Sequence, residues 1–79
     1  MLNIVEYKEY GYIKLKVKDV MDNKDVNVYN VSESMGVHFQ TIQNLYNSET
    51  VTRLDFRLLA KLCYVLECKT EDLIEYVAP

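Results

Sequence analysis

Glycine and proline are nearly missing from this chain, with two of the first and one of the second, and tryptophan is absent. A sequence so poor in residues that interrupt regular structure is neither a flexible linker nor a low-complexity tract. Cysteine is as scarce. Cys63 and Cys68 are the only pair, too few for the disulfide framework that staples small secreted domains. On one continuous helix their spacing points them in different directions, and they read as small buried hydrophobes. Histidine occurs once, at His38, so no metal-ligand cluster is available. Neither a Gly-rich phosphate loop nor a nucleophile beside a base can be found, which argues against an enzyme and against a cofactor. Glu71 and Asp72 suit a helix start better than acid–base chemistry. No apolar run approaches membrane length and the first dozen residues lack the basic and apolar regions of a secretory signal. The expectation is a cytoplasmic protein with no membrane partner. Positive charge is also short: nine Lys and Arg stand against twelve Asp and Glu, a net charge of −3, contrary to the basic balance of most nucleic-acid binders.

What remains is an apolar-rich sequence. Nearly half of the 79 residues are hydrophobic, enough for one domain with a small core. The most informative stretch runs from Val28 to Asn47. Val28, Val31 and Met35 recur at helical spacing, with Ser32 as a small neighbour on the same side. Gly36 stops that helix, because glycine alone enters the left-handed position after a helix without a steric penalty. Val37 plugs the turn. A second helical pattern, about Phe39–Asn47, turns Ile42 and Leu45 inward and Gln40, Gln43, Asn44 and Asn47 outward. Two short helices joined by a glycine turn, the second with a polar outer face, make a helix-turn-helix.

The flanks carry weaker signals. Ile13, Leu15 and Val17 alternate with Lys14, Lys16 and Lys18, a strand period to about Lys16. Asn3–Tyr7 is a candidate hairpin partner, with Gly11 turning the chain between them. A helix is expected from about Val17 to Lys24, with Val17, Val20 and Met21 inward. Asn27 caps the next helix. Ser48–Thr52 forms a polar loop. Asp55 caps a helix of about Phe56–Glu67 that turns Leu59, Leu62, Cys63 and Leu66 inward. Thr70 caps a last helix reaching Val77, with Leu73, Ile74 and Val77 closing the core. The expected architecture is all-α: a five-helix bundle at 17–79 behind an N-terminal extension, 1–16, with a short β strand or hairpin.

The Val28–Asn47 stretch resembles the helix-turn-helix of the lambda-repressor/Cro-like (XRE-type) transcriptional regulators at Val31, Ser32, Gly36, Val37, Ile42, Leu45 and Asn47. The likeness continues through Leu59-Ala60-Lys61-Leu62-Cys63, Leu66-Glu67-Cys68 and Asp72-Leu73-Ile74-Glu75-Tyr76, the ending of small stand-alone members. The resemblance implies a lambda-repressor-like DNA-binding domain whose second motif helix enters the major groove of double-stranded DNA. Carried over by position, the base-reading residues are His38, Phe39, Gln40, Gln43 and Asn44. Gln and Asn suit adenine edges, and an aromatic ring suits a thymine methyl. Phosphate contacts fall to Thr41, Asn47 and Ser48, the loop hydroxyls Thr50 and Thr52, and Arg53 and Arg57.

The sequence departs from the family pattern at several points. From Val26 to Thr52 there is no Lys or Arg, while Glu33 and Glu49 are acidic. Val28 and Phe39 stand where polar or basic residues are usual, and His38 where a serine commonly caps the helix. Phosphate neutralisation supplies most non-specific DNA affinity, so binding is expected to be weak or to depend on a homodimer. Leu58, Tyr64, Val65, Tyr29 and Tyr46 are expected at or near the surface, where Leu58 and Tyr64, or the strand Ile13–Lys16, would serve as a dimer contact. The competing reading is a protein-interaction module, an anti-repressor or repressor partner, that kept the fold without strong DNA binding; a nucleic-acid mimic is a third.

Overall fold

The computed structural model describes residues 10–48 and 53–79. Strand β1 (Tyr12–Leu15) leads into helix α1 (Val17–Asn23), followed by α2 (Val28–Met35), α3 (Phe39–Asn47), α4 (Phe56–Leu66), α5 (Thr70–Leu73) and strand β2 (Ile74–Val77). The expected Asn3–Tyr7 hairpin arm and the loop hydroxyls Thr50 and Thr52 lie outside the described residues.

Capping accounts for the helix boundaries. Asn27 Oδ1 accepts from the Asn30 amide at 2.8 Å and starts α2, and Asp55 Oδ1 accepts from the Arg57 amide at 2.8 Å and starts α4. Asp25, at φ 57°, takes the left-handed conformation between α1 and α2, which short polar side chains tolerate. Thr70 is not the cap of α5. That position belongs to Lys69, whose amide donates to Asp72 Oδ2 at 2.9 Å, and Thr70 is the first helical residue.

The architecture is not purely α. β1 and β2 form an antiparallel pair, with Tyr12 opposite Val77 and Leu15 opposite Ile74. The last helix was expected to reach Val77 but stops at Leu73. Ile74, Tyr76 and Val77 are β-branched or aromatic and suit a pleated surface, and β1 offers their amides and carbonyls a ladder that a frayed helix end would lack. Lys16 N–H donates to Leu73 O at 2.7 Å and closes the junction. The described partner of β1 is therefore the C-terminal strand.

The core lies where all the helices converge. Val17 and Met21 from α1, Ile42 from α3, Leu62 from α4 and Leu73 from α5 are fully buried, with Leu15, Val31, Met35, Leu45, Leu59 and Leu66 around them. Each such side chain contributes roughly 1.5–3 kcal/mol on burial. Val20, Cys63, Ile74 and Val77, expected inside, are half-buried at the margin.

Candidate nucleic-acid interface

The motif is built from α2, the turn at Gly36 and α3. Gly36 sits at φ 69°, and the amides of Gly36 and Val37 return to Glu33 O at 3.2 Å and Ser32 O at 3.1 Å. This ends α2 within one residue, and α3 begins at Phe39. Ser32 is buried at the helix contact, and its Oγ donates to Tyr29 O at 2.9 Å, which satisfies the hydroxyl inside the core. Val37 is half-buried in the turn.

Ile42 and Leu45 anchor α3 from below. His38 occupies its N-cap with an extended backbone and no side-chain cap bond, so its exposed imidazole stands at the helix start, free for other contacts. Gln40 and Asn44 are exposed one turn apart, and Gln40 Nε2 donates to Asn44 Oδ1 at 2.8 Å. That bond holds both amides in one orientation and leaves the Gln40 carbonyl and the Asn44 amino group unspent. Gln43, expected outward, is half-buried, as is Thr41. Phe39 is 47% exposed. It lines a shallow recess of about 360 Å³ with Val28, Tyr29, Gln43 and Tyr46, so the ring lies over the start of α2 rather than standing clear of the helix.

The residues expected at phosphates are spread out. Asn47 and Ser48 lie together at the far end of α3. Arg53 is exposed ahead of α4. Arg57 lines a different recess with Ser34, Met35, Ala60 and Tyr64, beside the end of α2.

The structure supplies cations the motif itself lacks. Lys14, Lys16 and Lys18 line a recess of about 370 Å³ together with Asn47 and Ser48. The strand alternation of these lysines was visible in the sequence, but not which helix end they would meet. Beside them, Lys18 Nζ binds Asp22 Oδ2 at 2.8 Å, Tyr46 donates its hydroxyl to Asp22 Oδ1 at 2.7 Å, and the ammonium lies 5.3 Å from the centre of the Tyr46 ring. The Lys18 and Tyr46 hydrogen bonds hold the Asp22 carboxyl below the usual aspartate range. The same carboxylate raises the Lys18 ammonium and the Tyr46 phenol above theirs. Tyr46, expected at the surface, is half-buried in this α1–α3 bridge.

The cysteines also depart from expectation. α4 ends at Leu66, and Glu67 adopts φ 53°, so Cys68 folds back and its amide donates to Cys63 O at 3.0 Å. Both free thiols line one open recess, and both are half-buried rather than fully enclosed. Burial pushes the Cys68 thiol up. Among the described residues no group of three or more His, Cys, Asp or Glu could hold a metal ion, and no helix is long and apolar enough to cross a membrane.

The profile of the Cro/C1-type HTH DNA-binding domain matches residues 16–79. Two solved structures share the fold. One is a candidate DNA-binding protein from Bacteroides fragilis, 21% identical, with a TM-score of 0.69 over 80% of this chain and 98% of that one. The other is the transcriptional regulator VanUg, 21% identical, with a TM-score of 0.67 over the whole of both chains. No curated protein matches the sequence significantly.

Proposed function

The chain belongs to the Cro/C1-type helix-turn-helix DNA-binding domain family, and from that premise we propose that it is a non-enzymatic, sequence-specific regulator that reads the major groove with α3. The observation that carries this reading is the Gln40–Asn44 pair, two exposed amides locked together by a 2.8 Å hydrogen bond on the face opposite Ile42 and Leu45. A pre-oriented amide pair offers an acceptor and a donor to a base edge without further loss of rotamer freedom. His38 at the helix start and Gln43 beside the pair extend the same face. Phe39 serves as an apolar contact at its edge. Thr41, Asn47, Ser48, Arg53 and Arg57 are the proposed phosphate contacts.

The test is a titration of duplexes selected from a random pool. Gln40→Ala and Asn44→Ala should each weaken the preferred site by about 1–3 kcal/mol and relax choice at one base. If no selected duplex outcompetes bulk DNA, or both variants bind like the wild type, groove reading by this helix is wrong.

A homodimer follows from the same reading, since two half-sites multiply a weak affinity. The exposed Tyr64, 85% accessible, with Phe56, 81% accessible, on α4 suits that contact better than Leu58, which is half-buried, or β1, one edge of which is taken by β2. Sedimentation at tens of micromolar that finds only monomer, with and without DNA, removes the dimer. The two exposed aromatics are also what favours the second reading, a domain that docks onto another protein through α4.

A further inference from the structure

We infer that Lys14 and Lys16, together with Asn47 and Ser48, form a seat for a backbone phosphate of duplex DNA at the C-terminal end of α3; the inference rests on the DNA-binding reading above. Lys14 lies in β1 and Lys16 at the junction between β1 and α1, and both line the same recess. The recess they line meets the end of α3 at Asn47 and Ser48, which add a neutral amide and a hydroxyl of the kind that bind phosphate oxygens.

Charge separates this place from the rest of the motif. The recess lining holds three ammonium groups against the one carboxylate of Asp19, whereas residues 26–52 contain no Lys or Arg. Lys18 is committed to Asp22 at 2.8 Å and to the Tyr46 ring. Lys16 is not. Its contact with Glu75 is 3.9 Å long, and that carboxylate is 53% exposed, a weak pair that an incoming phosphate can displace. Lys14 lies opposite Glu75 in the strand register and makes no ion pair among the described residues. Two lysines are thus available, Lys14 on a backbone held by the β1–β2 ladder and Lys16 on one held by its amide bond to Leu73 O at 2.7 Å.

The assay is a salt series on a selected duplex. The variant Lys14→Gln/Lys16→Gln should lower the slope of log K against log salt by about one, the share of a single phosphate contact. Lys14→Arg/Lys16→Arg should keep the wild-type slope. Lys61→Gln/Lys69→Gln removes the same charge from exposed positions outside the recess and should also leave it unchanged. Base preference should stay intact in every variant, because phosphate contacts carry no direct sequence information. A slope for Lys14→Gln/Lys16→Gln equal to that of the Lys61/Lys69 control overturns this seat and leaves α3 reading untouched. A wild-type protein that prefers no duplex over bulk DNA overturns both. Circular dichroism of each variant excludes a folding defect.

Discussion

Alanine at position 36 should cost about 1 kcal/mol, and the structure says where that cost comes from. Gly36 sits at φ 69° as the left-handed cap of α2. A Cβ built there meets no atom within 4 Å, so no packing is disturbed. The whole cost is backbone conformation, about 1–2 kcal/mol for a non-glycine residue in the left-handed region. The narrower unfolded ensemble of alanine offsets part of it, by about 0.4–1 kcal/mol. For a domain of this size that net loss lowers Tm by roughly 4–8 °C, measurable by circular dichroism at 222 nm. Gly36→Asn should lose less, because asparagine tolerates this region. Gly11→Ala makes the contrast. At φ 84° its added Cβ would fall 2.2 Å from the Val77 carbonyl oxygen, an atom of the strand partner's backbone, so the end of the β1–β2 pair must shift as well. It should therefore be the more damaging change. A Gly36→Ala protein melting with the wild type, or one losing more than about 3 kcal/mol, refutes the purely conformational account.

Leu45→Ala should destabilise by about 2–5 kcal/mol through the cavity it leaves beneath α3, and an unchanged urea midpoint would count against the core described here. The Asp22 carboxyl, lowered in the folded state by Lys18 and Tyr46, contributes stability that is present above the ordinary aspartate range and is lost as pH falls through the lowered value. Asp22→Asn should therefore flatten the acid limb of a Tm–pH profile; an identical limb in both proteins would show that the bridge adds nothing.

Local chemistry was legible in the sequence wherever it sufficed. Asn27, Asp55 and Gly36 each act within a turn of the helix they bound, and α2 and α3 begin and end where those residues and the apolar spacing indicate. The tail was not legible in this way. Ile74–Val77 continues a helical-looking run, and only its pairing with Tyr12–Leu15, remote in the chain, makes it a strand. Cys63 and Cys68 illustrate the same limit on a smaller scale. Their spacing argues for divergence on a straight helix, and the left-handed Glu67 reverses that. At the candidate interface, Gln40 and Asn44 stand where helical periodicity puts them. The lysine recess joins residues from β1, α1 and the end of α3, and no linear pattern encodes such a meeting.

The pairing of β1 with β2 bears on the order in which the molecule assembles. Contacts between α2 and α3 span few residues, so their loop-closure cost is small and they can form early. The strand pair must bring residues 12–15 to residues 74–77, the longest closure among the described contacts between elements. It cannot form on a nascent chain until the last helix has been synthesised, and it should be the first element to come apart in local fluctuations. The Lys16 amide, bound to Leu73 O at 2.7 Å, marks that event. Its hydrogen exchange times the opening of the strand pair, while the Ile42 and Leu45 amides time the opening of α3.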